Sequence, residues 1–319
     1  MEISKLEDYT KIFKFMIPKE KALKLIAICL YISDICNSRL KHLSQRHSNN
    51  ANPSFTDTEI LTIYLFVVSQ ESCREVKAIY NFTKDYLLAW FPKLPSYQAF
   101  DARLNNLSAA WQELTVILLS EHTPTDCDLE NSLVDSFPIV TCKGRNRKAK
   151  VAREIVDKGF CSTKNMFYYG LKLHLLGYRR KGTIPFPEIL SFSAASENDL
   201  KVFKQEFDPY IQNKTVFADK IYNNADFFAL REKTQNYQIL TPVKLVKGEA
   251  ENIRLRDAAA NNLFSAAVST VRQPIESFFN WINEKTNIQK ACKVRSTTGL
   301  IVFVFAKIAA AFIHLIFKP

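Results

Sequence analysis

Ser132–Lys150 reads SLVDSFPIVTCKGRNRKAK. Its first part sets one acid, Asp135, among Leu, Val, Phe and Ile, and its second places five positive charges in the eight residues from Lys143. The β-branched and aromatic residues predict a strand. A lone carboxylate on a buried strand is costly, so Asp135 needs a partner of opposite charge.

Outward from this stretch, strands and helices alternate from about Asp126 onward. MFYYGLKLHLLGY predicts a second strand with Gly170, Lys172 and His174 on one face. FPEILSFSAAS predicts a third, followed by a polar turn at Glu197, Asn198 and Asp199; the last two could assist a site, with turn capping the expected role. DLKVFKQEFDPYI reads as helical, TVFADKIYNN as a short strand ending in Asp219, and ADFFALREKTQNY as a helix before the strand YQILTPV. After a polar stretch, a helix starting near Thr270 to Pro274 carries IESFFNWINEK with Glu276. Three strands, a helix, a strand, a helix, a strand and closing helices make an α/β sandwich.

Residues before about 125 read as helical. Lys19 to Ser38 is amphipathic, Thr56 with Glu59 forms a capping-box pattern, and Ser96 is a cap after Pro92 and Pro95. Short helices with tight breaks suit a helix-turn-helix-like module or a plain helical bundle. The expected organisation is therefore a helical region over 1–125 and an α/β domain over 126–319.

The chain has 319 residues, 47% of them hydrophobic, and a formal net charge of +11. That charge suggests a polyanionic partner, nucleic acid or an anionic membrane surface. Seven cysteines, odd in number and without a CxxC pair, argue for free thiols in a reducing cytoplasm. No apolar signal segment opens the sequence. The apolar run from Gly299 is interrupted by Lys307 and His314, which predicts a core helix rather than a membrane span. No P-loop, GxGxxG or HExxH pattern occurs, and 7 glycines leave little for nucleotide-binding loops.

Asp135, Asp219 and Glu276 each lie among apolar residues. Alone, each has an ordinary explanation as a turn, cap or surface acid. Together, three nearly buried carboxylates would suit hard divalent cations such as Mg²⁺ or Mn²⁺. Two such ions roughly 4 Å apart can serve an in-line phosphoryl displacement.

The order VDSFPI, a basic segment, YYGLKLHLL, FADKIYNN and RQPIESFFNWI resembles the DDE transposases of bacterial insertion sequences. Within the insertion sequence 4-like group, it is most similar to the insertion sequence 982 type. FTDTEILTIYLFV and FPKLPSYQAFDARL resemble the N-terminal region of that group, and Asp126 onward resembles its RNase H-like catalytic domain.

The resemblance implies Asp135, Asp219 and Glu276 as catalytic metal ligands for two Mg²⁺ or Mn²⁺ ions. It implies that Arg272, Lys220, Lys143, Arg145, Arg147, Lys148, Lys150, Lys172 and Lys285 contact DNA. The substrates would be the terminal inverted repeats of the element and a target duplex. The chain would cut and join them as a homodimer on DNA, in the bacterial cytoplasm and without a membrane.

Arg272 and Glu276 are one helical turn apart and share a face, and Pro274 is tolerated at a helix start. Three positions depart from the family pattern: Ile221 replaces a usual Gly, Ser269 a Tyr, and Asn283 a Lys. These departures keep open a catalytically inactive, transposase-derived DNA-binding protein, and a metal-dependent nuclease without strand transfer is a third reading.

Overall fold

The computed structural model describes residues 17–44, 53–144, 150–161, 164–244 and 251–317, the side chains of 252–254 excepted. In chain order the helices α1 (Lys19–Ile35), α2 (Asp57–Glu71), α3 (Val76–Tyr86), α4 (Tyr97–Asn106) and α5 (Ser108–Glu121) come first. Strands β1 (Cys127–Lys143), β2 (Asp157–Cys161), β3 (Met166–Arg180) and β4 (Phe186–Ala194) follow. Then come α6 (Asp199–Val202), β5 (Lys214–Phe217), α7 (Ala225–Gln235), β6 (Tyr237–Leu240), α8 (Glu251–Arg272), α9 (Pro274–Thr286) and α10 (Thr297–Ile316).

The chain divides into two compact units. One comprises Met1–Glu121, Glu284–Ile288 and Val294–Pro319, and the other His122–Asn283 and Gln289–Lys293.

In the first unit α2 is the central helix. Ile60 to Val68 are all buried, as expected of a helix apolar on every side. Its start is the capping box read from the sequence: Glu59 N donates to Thr56 Oγ1 at 3.2 Å and Thr56 N to Glu59 Oε2 at 2.6 Å. Ser96 caps α4 in the same way, accepting from Ala99 N at 3.3 Å.

α10 packs on α5 and α2, so the closing helix groups with the N-terminal helices rather than with the sheet that follows residue 126. It is long and apolar enough to cross a membrane, with mean hydropathy 2.3. Eleven of its residues, from Leu300 to Ile313, are buried in this unit.

Lys307 is one of them. Its ammonium donates to the carbonyls of Arg74, at 3.1 Å, and Thr286. Burial pulls its pKa down to about 7; Glu75 acts upward and Arg74 downward.

The second unit is built on a six-stranded mixed sheet of order β2-β3-β1-β5-β6, with β4 also on β3. β1, β3 and β4 form an antiparallel set, while β5 and β6 run parallel to β1. β2 and β4 share one edge of β3, pairing with Met166–Gly170 and with Leu171–Tyr178 respectively. Gly170 lets β3 approach β1, since a Cβ there would stand 1.9 Å from the Ile139 carbonyl oxygen. Val134, Val216, Ala218, Phe203, Phe228 and Tyr222 form part of the core beneath the sheet. This mixed sheet with flanking helices is consistent with an RNase H-like domain of α/β class.

Two elements were not foreseen in the sequence. β2 is a five-residue edge strand with an interior glycine, a residue that weakens strand signals. The polar stretch before Thr270 contains the 22-residue helix α8, whose Leu255, Leu263 and Phe264 are exposed. It therefore lacks a buried apolar stripe.

In the unfolded chain Lys307 titrates near 10.4. Between pH 7 and about 10 the unfolded state holds a proton that the folded state does not, so stability rises with pH. Melting temperatures across pH 7 to 9.5 should rise more steeply for the wild type than for Lys307→Met.

Candidate active site

The register of β1 and β5 positions two of the acids. Leu133 pairs with Phe217 in parallel, and Asp135 and Asp219 each lie two residues further along. Asp135 continues within β1, while β5 has ended and Asp219 caps a short 3₁₀ turn, Lys220–Tyr222. Its Oδ1 accepts from Lys220 N at 2.7 Å.

Glu276 lies in the first turn of α9, where carboxylates are favoured by the helix dipole. Pro274 opens that helix, its missing N–H needing no partner there. One residue, Gln273, separates α9 from the end of α8 at Arg272.

Arg272 joins the acids. Its Nη1 donates to Asp135 Oδ2 at 2.7 Å and its Nη2 to Glu276 Oε1 at 2.7 Å. The other oxygen of Asp135 accepts from Ser136 N at 2.8 Å.

Beside them Asp199, at the start of α6, accepts from Lys172 at 2.7 Å and from Ser136 Oγ at 3.0 Å. Asp135, Asp199, Asp219, Arg272, Glu276 and Lys172 line one cleft of about 620 Å³.

The acids are not equally buried. The Asp135 side chain is 23% exposed, Glu276 55%, and Asp219 is exposed. The expectation of three nearly buried carboxylates therefore holds only for Asp135. Asp219 sits on a turn and Glu276 on a first helical turn, both lining the cleft.

Burial pushes the Asp135 carboxyl up to about 6. Arg272 and the Ser136 N–H pull it down, while Asp219 and Asp199 add to the rise. Burial likewise raises the Tyr222 hydroxyl well above its ordinary range, reinforced by Asp135, Asp199 and Asp219.

Among the described residues no three His, Cys, Asp or Glu side chains stand ready as a metal cluster, and a guanidinium bridges Asp135 and Glu276. The donor chemistry nonetheless fits a divalent cation: hard carboxylate oxygens surround a spot that already holds positive charge. Among the described residues two buried donors have no acceptor, Arg272 Nε at the cleft and Tyr222 Oη in the core beneath the sheet.

The basic residues named from the sequence differ in state. Lys143, Lys150 and Lys220 are exposed, and Arg145, Arg147 and Lys148 lie outside the described residues. Lys172 is engaged within the chain, by Asp199 and the Glu197 carbonyl. Lys285 is counted with the helical unit rather than with the acids.

His174 is a buried strand residue, bonded to Ser193 at 2.8 Å and held neutral, its pKa lowered to about 4 by burial. At the departures, Ile221 lines the cleft. Asn283 accepts from Gln289 N at 3.1 Å, and Ser269 O accepts from Gln273 N at 3.0 Å as α8 ends.

Asp199, expected from the sequence to cap its turn with help to the site as the lesser role, lines the cleft, while Tyr222, buried in the core beneath the sheet, was not singled out. The signals were the polar turn SENDL and the tyrosine three residues after Asp219.

A family model described as Transposase DDE domain matches residues 128–313. The match spans more than half of the chain, which belongs to this family. Membership implies a DNA substrate, and DDE transposases generally use divalent metal ions. No curated protein and no solved structure matches the chain.

Lys172 and Asp199 are mostly buried, with side chains 16% and 11% exposed. Breaking such a pair from one side strands a charge, whereas replacing both members by apolar groups does not. Urea denaturation should show Asp199→Ala destabilised by about 3 kcal/mol, and Lys172→Met with Asp199→Leu destabilised far less.

Proposed function

We propose that this chain is an insertion-sequence transposase that binds the terminal inverted repeats of its element and carries out metal-dependent cleavage and strand transfer. The observation that carries this reading is the convergence of Asp135, Asp219 and Glu276 on one cleft with Arg272 between two of them. The family match supplies the substrate class.

Asp135, Asp219 and Glu276 would hold two Mg²⁺ or Mn²⁺ ions. When bound, such ions activate water and stabilise the attacking and leaving oxygens of an in-line displacement. The residues of the chain do the rest.

Arg272 exchanges its carboxylates for a phosphate, for which its planar fork of donors is suited. Lys220 sits beside Asp219 and adds positive charge where the strand approaches. The basic segment after β1, Lys143 to Lys150, neutralises the flanking backbone and releases its counterions. Lys172 holds Asp199 in place next to Asp135.

In the first reaction the oxygen of water bonds to phosphorus, the P–O3′ bond breaks, and the strand keeps a 3′-OH. In the second that hydroxyl oxygen bonds to a target phosphorus and the target's own O3′ leaves. Joining two ends calls for two copies of the chain on DNA, with the N-terminal helices reading the repeats. The setting is the bacterial cytoplasm, at the nucleoid. The subgroup proposed is the insertion sequence 982 type.

Incubation with end DNA and Mg²⁺ or Mn²⁺ should give nicked and joined products. Asp219→Asn should reduce both about 100-fold or more while retaining DNA binding. Specific binding by the wild type without any cleavage would instead favour a DNA-binding protein that has lost turnover.

A further inference from the structure

Tyr222 is fully buried, closing the 3₁₀ turn that Asp219 caps. Its N–H donates to the Asp219 carbonyl at 3.0 Å, and its ring meets that of Phe203 at 5.9 Å within the core cluster. Its hydroxyl lies within the electrostatic reach of Asp135, Asp199 and Asp219, yet it has no hydrogen-bond partner among the described residues. A buried hydroxyl without a partner bears its whole desolvation cost. Phenylalanine would fill the same space without that cost, so no hydrogen bond among the described residues calls for the hydroxyl.

The acids beside it are in a comparable position. Both oxygens of Asp135 already accept, one from Ser136 N and one from Arg272. If Arg272 turns to a phosphate, one Asp135 oxygen loses its donor at the moment when a cation is to be held. Hydrogen bonds from outside the ligand set are what fix ligand orientation at metal sites.

We propose that Tyr222 is a positioning residue of the acid site: its hydroxyl donates to Asp135 or Asp219 once these carboxylates turn from Arg272 to a divalent cation. The inference rests on the reading of Asp135, Asp219 and Glu276 as metal ligands. It adds a residue outside that set, with a role that appears only in the loaded state. Tyr222 touches neither DNA nor metal in this role and acts through the carboxylates.

The test is Tyr222→Phe beside Asp219→Asn in the full chain. Three quantities are measured: Mn²⁺ affinity from the electron paramagnetic resonance of free Mn²⁺, metal-free melting temperature, and cleavage of end DNA against Mn²⁺ concentration. Tyr222→Phe should melt at or above the wild-type temperature, bind Mn²⁺ about tenfold more weakly, and recover a near wild-type cleavage rate at saturating Mn²⁺.

Wild-type Mn²⁺ affinity in Tyr222→Phe, with affinity lost in Asp219→Asn, would overturn the role of Tyr222 alone. A clearly lower metal-free melting temperature, or a rate that excess Mn²⁺ does not recover, would overturn it too. Unchanged affinity in Asp219→Asn would remove the ligand reading itself, and this inference with it.

Discussion

One guanidinium holds the acidic face of the sheet domain together. Arg272 spans two acids, and the partner on the sheet, Asp135, is 137 residues away in sequence. Without a cation there, Asp135 would be a desolvated carboxylate on a strand with two further acids nearby, and its pKa of about 6 already reflects that pressure. The same contact turns the Asp135 and Glu276 carboxylates toward an arginine rather than toward one another. A cation that takes the arginine's place would leave its donors free for a second anion. Under the proposed function, charge balance in the cleft would link metal and phosphate.

Strand register provides the scaffold for this contact. Because β1 and β5 are parallel and pair Leu133 with Phe217, two acids separated by 84 residues, 135 to 219, emerge at the same level of the sheet. A slip of one residue would turn each side chain to the opposite face, and the buried Leu133, Val134, Val216 and Ala218 fix the register against that. α8 and α9 then deliver Arg272 and Glu276 across the break at Gln273. Core packing, not the acids themselves, determines where the acids meet.

What could be read from the sequence followed from how local the cause was. Thr56 with Glu59, and Ser96, announce helix starts through bonds within three residues, and those caps are present. The strands around Asp135, His174 and Asp219 were legible because apolar, β-branched runs bury in a sheet. β2 escaped because an edge strand of five residues with Gly159 carries little pattern. α8 escaped because its apolar residues do not gather on a buried stripe. The exposure of Asp219 and Glu276, the Lys172–Asp199 pair and the unsatisfied hydroxyl of Tyr222 depend on partners distant in sequence, and neighbouring residues carry no sign of them.

In the proposed function Asp135, Asp219 and Glu276 together hold the metal ions. Replacing Mg²⁺ by Fe²⁺ and generating hydroxyl radicals at the bound iron, then mapping cuts in the polypeptide, addresses it without reference to activity. Three clusters of cuts are expected, around residues 135, 219 and 276, all suppressed by excess Mg²⁺ and absent in Asp219→Asn. Cuts confined to other segments, or a pattern indifferent to Mg²⁺ and to Asp219→Asn, would contradict that ligand set.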